Sequence, residues 1–275
     1  MLNSLIKPEQ MKRLPILIIL YLLLCSHELF LKIDSYYLDT NESTELYLFN
    51  GTFDKSENVI TRDRIINARV VGPQYDYYPK EGDYYDNDKI TYLKLDAGDE
   101  GTYTAGVSTL PKMIELNAAD FKEYLEHEGL TDLIAKRENQ GISNTPAREK
   151  YSKHVKAILQ VSDTRTDHFA TELGYPIEFV PLNNPYDLSK GDSISFKLLR
   201  NGKPLPDQVV HYSSRSDSNY RNPEENSTRT DENGVLTITL DESGKWYVAA
   251  IHMTESGVKE IDYESNWATL TFEIR

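Results

Sequence analysis

Two long stretches of this chain share one pattern: short runs with an apolar residue at every second position, cut by turn-forming residues. In the first stretch Leu29, Leu31 and Ile33 alternate with Phe30, Lys32 and Asp34. Leu46 and Leu48 run into Asn50-Gly51, Ala68 to Val71 stop at Gly72-Pro73, and Ile90 to Leu95 and Gly101 to Val107 follow. In the second stretch Ile194, Phe196 and Leu198 lead to the turn Asn201-Gly202. Val235 to Leu240 follow the turn Thr230 to Gly234, and Tyr247 to Met253 and Trp267 to Ile274 complete the set. A period of two sends successive side chains to opposite faces of a strand, while Gly, Pro, Asn and Asp supply the tight turns between strands.

The stretch between them reads differently. Asn117 stands before Phe121, Tyr124 and Leu125, then Leu130, Leu133 and Ile134, a helical spacing with a break at Gly129. Pro146 suits the first turn of a second helix over Ala147 to Leu159, with Tyr151, Val155, Ile158 and Leu159 on one face. The fold expected is mainly β, with two antiparallel Ig-like β-sandwich domains and a helical segment between them. The predicted division is a signal peptide over 1–26, an N-terminal sandwich over 27–112, a helical connector over 113–172 and a C-terminal sandwich over 173–275. Ser213 to Thr228 is polar and reads as a loop.

The first 26 residues carry an export pattern. Lys12-Arg13 precede the uncharged run Leu14 to Leu24, and small Cys25 and Ser26 follow. The run is too short to span a bilayer, which needs about 20 apolar residues. Cleavage after Ser26 makes His27 the first residue, and its α-amine and ring Nδ1 can then chelate one metal ion. Leu22-Leu23-Leu24-Cys25 supports a second reading, a lipoprotein signal that acylates Cys25 and leaves His27 without a free amine. The expected location is the periplasm or cell envelope, with membrane contact only through that anchor.

Composition narrows the chemistry. A formal net charge of −14 opposes nucleic-acid binding, which relies on Lys and Arg neutralising phosphates. Cys25 is the only cysteine, so a chain starting at His27 has only nitrogen and oxygen ligands to offer a metal. His252 lies in the apolar run Val248 to Met253 and is the second candidate ligand. His127, between Glu126 and Glu128 at a helix end, reads as part of a solvated face. His154 falls on the predicted basic helix, and His168 and His211 on loops or strand edges. No HExxH, GxSxG, phosphate loop or CxxC occurs, so no enzyme class is indicated. Tyr77, Tyr78, Tyr84 and Tyr85 cluster in one stretch and support an alternative, a cell-surface glycan- or protein-binding module.

Several segments taken together resemble a known family. They are His27 to Leu31 after the signal, Glu128-Gly129-Leu130, Tyr151-Ser152-Lys153, Pro176-Ile177-Glu178, Asn184-Pro185-Tyr186, Gly202-Lys203-Pro204-Leu205, His252-Met253 and Trp267 to Phe272. The set is similar to an exported bacterial family of largely unknown function, linked to nickel and cobalt uptake and typified by NikK-like periplasmic components. The resemblance implies an accessory protein that handles a transition metal, nickel before cobalt, copper or zinc, ahead of a membrane transporter. His27 matches the family's first mature residue and His252 its late-strand His-Met; these two are the metal ligands it implies.

Overall fold

The computed structural model describes residues 28–216 and 225–275. The segment expected to be a signal peptide, 1–26, and the candidate ligand His27 therefore lie outside the described residues. Nineteen strands and two α-helices make up the described chain. The strands of its first part are β1 (Glu28–Lys32), β2 (Tyr37–Leu38), β3 (Ser43–Gly51), β4 (Ser56–Asn58), β5 (Ile65–Gly72), β6 (Tyr75–Tyr77), β7 (Tyr84–Asn87), β8 (Ile90–Asp96), β9 (Gly101–Thr109) and β10 (Lys112–Leu116). The helices α1 (Ala118–His127) and α2 (Thr131–Asn139) come next, then β11 (Ala147–Val161) and β12 (Ile177–Pro181). The chain continues through β13 (Ser193–Arg200), β14 (Lys203–Pro204), β15 (Val209–Arg215), β16 (Asn226–Arg229), β17 (Val235–Thr239), β18 (Gly244–Glu255) and β19 (Tyr263–Ile274).

These strands form three sheets. One runs β1-β3-β8-β7 with β4 on β3, and another runs β12-β13-β14 with β17 on β13. The long sheet runs β16-β15-β18-β19-β11-β9-β5-β6, with β2 and β10 also paired to β11. Pairing is antiparallel except where β11 meets β19 and β2. The fold is thus mainly β and built of antiparallel sheets, as the alternation predicts. One continuous apolar cluster draws on all three sheets, through Leu31 and Leu48, through Val155 and Phe272, and through Phe196 and Leu236. The sheets are also stitched by hydroxyls: Thr269 Oγ1 donates to the Leu29 carbonyl at 2.7 Å and Thr271 Oγ1 to that of Leu31 at 2.5 Å.

The first predicted helix is present. Asn117 caps it, its Oδ1 accepting from the N–H groups of Ala119 and Asp120, both at 3.0 Å. Phe121, Tyr124 and Leu125 then pack against Ile251, Met253, Tyr263 and Trp267 of the long sheet. The second predicted helix is not: Ala147 to Val161 is β11, the longest strand. Every residue from Lys153 to Val161 is buried, so this strand is covered on both faces and shows no polar–apolar alternation. Its polar residues are matched one by one. Lys156 Nζ donates at 2.9 Å to Glu178 Oε2 and to the carbonyls of Thr171 and Phe179, and Gln160 Oε1 accepts from Thr102 Oγ1 at 2.9 Å. Apolar spacing that fits a helix arose here from a doubly buried strand. The long sheet takes strands from both predicted sandwiches and from the segment between them. No helix among the described residues is long and apolar enough to cross a membrane.

Candidate functional site

The end of α1 is shaped by a glycine. Gly129 has φ +65°, which a side-chain-bearing residue adopts with strain. The Gly129 N–H donates to the Glu126 carbonyl at 3.2 Å and the Leu130 N–H to that of Leu125 at 2.8 Å, a Schellman closure. A Cβ on Gly129 would lie 2.8 Å from Val209 Cγ2, so only glycine lets the helix end rest on β15. That approach brings His127 and Glu128 against His211 of β15 and against Glu225, the residue before β16.

The four side chains form an alternating arrangement. The rings of His127 and His211 stack with centroids 5.4 Å apart and planes 12° from parallel. On one side stands Glu128, with Oε1 3.0 Å from His127 Nδ1 and Oε2 3.9 Å from His211 Nε2. On the other stands Glu225, with Oε2 3.8 Å from His127 Nε2 and 3.7 Å from His211 Nδ1. Tyr247 on β18 fixes Glu225 by donating its hydroxyl to Oε1 at 2.5 Å. The Glu128 side chain is 3% exposed and that of His211 12%, while His127, at 51%, opens the cluster to solvent. His211 Nε2 is buried without a hydrogen-bond partner. An orphaned buried nitrogen facing carboxylates calls for an explanation.

Charge at this end of the molecule is held in tension. The hydrogen bond to Glu128, together with the charges of Glu128, Glu225 and Glu28, raises the His127 pKa to about 9 against the opposing effect of burial. Burial, then repulsion from Glu128 and Glu225, pushes the Glu28 carboxyl well above the usual carboxylate range. Behind them, burial lowers Lys153 to about 7 and raises Glu149 to about 7.

This donor set suits a borderline divalent ion. Ligands on bonds of about 2.0–2.2 Å at tetrahedral angles lie about 3.4 Å apart. His127 Nε2 and His211 Nδ1 stand within a few tenths of an ångström of that separation from Glu225 Oε2. Glu128 faces the far nitrogen of each ring, the place of the outer carboxylate that orients metal-bound histidines. Among the described residues no group of three or more His, Cys, Asp or Glu side chains is placed to hold a metal ion.

The structure places the other sequence candidates elsewhere. His211 is in register with Ala249, and His252 lies three residues further along β18, so its side chain leaves the opposite face of the sheet. There His252 Nδ1 lies 3.3 Å from Gln208 Oε1, and burial followed by the Arg200 charge lowers its pKa. His154 is buried between Ser108 and Asn266. Of the four clustered tyrosines Tyr78 alone is exposed; Tyr77 donates to Asp83, Tyr84 packs on the core and Tyr85 stacks flat on Tyr92 at 4.8 Å. They form no platform of open rings.

Sequence reasoning passed over His127, Glu128, His211 and Glu225. The cue available was the His-Glu-Gly run itself: a glycine closing a helix directly after His127 and Glu128 places them at a close contact rather than in open solvent.

Fold and cluster together define a mainly β protein of antiparallel sheets with a paired-histidine, paired-carboxylate cluster at one helix end. The chain belongs to the DUF4198 family, a domain of unknown function, whose model matches residues 25–254. No curated protein gives a significant match. Among solved structures the D0-D1 domain of intimin is 13% identical, covers 90% of this chain and 97% of its own, and has a TM-score of 0.23. Salmonella alpha-2-macroglobulin reacted with methylamine is 8% identical over 89% of this chain and 15% of its own, with a TM-score of 0.23. The Escherichia coli adhesin FdeC is 12% identical over 90% of this chain and 64% of its own, with a TM-score of 0.22.

Proposed function

We propose that this protein is an exported binder of a divalent transition metal that serves nickel or cobalt uptake. The ion would be held by His127 Nε2, His211 Nδ1 and Glu225 Oε2, with Glu128 orienting both rings from behind. One observation carries the reading: two stacked imidazoles stand between two carboxylates, with Glu225 Oε2 3.8 Å from His127 Nε2 and 3.7 Å from His211 Nδ1. Two imidazoles with carboxylate favour nickel, cobalt, copper(II) or zinc over calcium or magnesium, which prefer oxygen throughout. Two anionic carboxylates also match a double positive charge. The uptake role and the export follow from the resemblance to NikK-like components and from the basic, then uncharged, start of the chain. His252, on the other face of β18, is left out of this site.

Calorimetric titration with Ni²⁺, repeated with Co²⁺ and Zn²⁺, tests the reading. His127→Ala and His211→Ala should each weaken binding by at least about 10–100-fold. An unchanged affinity in the double variant, with its circular dichroism intact, would refute it.

A further inference from the structure

Lys153 lies where the cover over one face of β11 changes. On that face Tyr151 packs with the α1 cluster, while Val155 and Ala157 share an apolar cluster with Leu29 and Leu48 of the β1–β3 sheet. Between them Lys153 is 4% exposed, and its Nζ donates at 3.1 Å to Oδ1 of Asn50 on β3. The rings of Tyr151 and Trp267 flank the amine, with centroids 5.6 and 6.0 Å from Nζ. Burial, then the charge of Arg64, lowers the Lys153 pKa to about 7, so a large share of the amine is unprotonated at neutral pH.

The amide it meets is held on both sides. Asn50 pairs with Leu29 of β1 and with Asn58 of β4, and its N–H donates to Ser56 Oγ at 3.1 Å. Asn50 Cγ lies one C=O bond, about 1.23 Å, from the oxygen that accepts from Nζ. A desolvated lysine amine is a nucleophile, and holding it against an acyl carbon replaces a chance encounter with a fixed one. Cys25 is the only cysteine, which leaves this sequence no intrachain disulfide to join its sheets.

We propose that Lys153 and Asn50 condense into an isopeptide bond that joins β11 to β3 and so staples two sheets together. Nζ adds to Cγ; the Nζ–Cγ bond forms and the Cγ–Nδ2 bond breaks. One proton passes from Nζ to Nδ2, relayed by a water at the partly exposed amide, and ammonia leaves. One amine and one primary amide become one secondary amide and one ammonia, with no oxidant or further reactant. The bond closes a loop between residues 103 apart in sequence. It is independent of the metal reading, because neither residue is a ligand there.

Tryptic digestion of the folded, full chain followed by mass spectrometry tests the bond. The expected product is residues 33–55 joined to residues 151–156, uncut after Lys153 and lighter than the two peptides together by one ammonia. Lys153→Arg and Asn50→Ala should each abolish it, and in Asn50→Ala trypsin should cut after Lys153. Asn50 precedes Gly51, so ring closure of Asn50 onto the Gly51 nitrogen also expels ammonia. An ammonia loss that persists in Lys153→Arg, with no joined peptide in the parent, is that reaction and overturns the proposal. Two separate peptides, after prolonged incubation of the parent above the pKa of its amine, overturn it equally.

Discussion

His154 and His211 occupy two strands of the same sheet, and they differ in how their ring nitrogens are matched. His154 Nδ1 accepts from Ser108 Oγ at 2.5 Å and Nε2 donates to Asn266 Oδ1 at 3.0 Å. Burial holds its pKa down to about 4, so the ring stays neutral and ties β11 to its neighbours. His211 has carboxylate oxygens at 3.7 and 3.9 Å and an Nε2 without a hydrogen bond. Lys156 extends the first pattern, fully buried with three acceptors at 2.9 Å. Burial of a polar side chain therefore does not mark a site in this protein. Incomplete matching beside two carboxylates is what sets the His211 cluster apart.

The contrast can be broken from the satisfied side first. Lys156→Met leaves Glu178 buried without its cation and should cost about 3–5 kcal/mol in urea unfolding. Its Ni²⁺ affinity should stay within error of the parent. A loss of less than about 1 kcal/mol would show that the pair is not the keystone its geometry suggests.

His154 supplies a pH signature of the next size. Its folded pKa of about 4 lies below the ordinary 6.5, so the unfolded chain binds more protons between those values. Stability should therefore rise with pH across that window and be lost as pH falls through it, by about 3 kcal/mol in all. His154→Gln should flatten that segment of the stability–pH curve. A curve of unchanged slope would count against the neutral buried ring.

Gly129→Ala acts between the two environments. A positive φ and a 2.8 Å approach to Val209 oppose the new Cβ, at about 1–2 kcal/mol. Because the strain falls beside His127, Ni²⁺ affinity should drop more than that cost alone explains. The smallest effect belongs to His211→Ala without metal, expected within about 1 kcal/mol of the parent by thermal unfolding. With saturating Ni²⁺ the parent should gain about 2.7 kcal/mol at a hundredfold excess over its Kd, and the variant no more than about 1.4 kcal/mol at the same concentration.

Much of the fold was legible because its edges obey simple rules. Ile194, Phe196 and Leu198 alternate and form β13, and Asn201 and Gly202 take φ 50° and 72° in the turn to β14. Asn117 caps α1 and Gly129 ends it, as their types suggest. The pattern failed at β11, where Lys153, His154 and Lys156 are interior residues and the periodic signal disappears. The candidate site was illegible for a different reason. Its members come from a helix end, a strand edge and the far end of the polar stretch after Ser213. Only the β15–β16 hairpin and the seat of α1 bring them together, and no local rule encodes that meeting.

The parallel pairing of β11 with β19 has a further consequence. Lys150 faces Glu264 at a sequence separation of 114, and β19 fills the middle of the long sheet between β18 and β11. No turn can close such a pair, and contacts this remote in sequence form late and slowly. The long sheet therefore cannot join β18 to β11 until β19 has been made, although β11-β9-β5-β6 and the two smaller sheets pair without it.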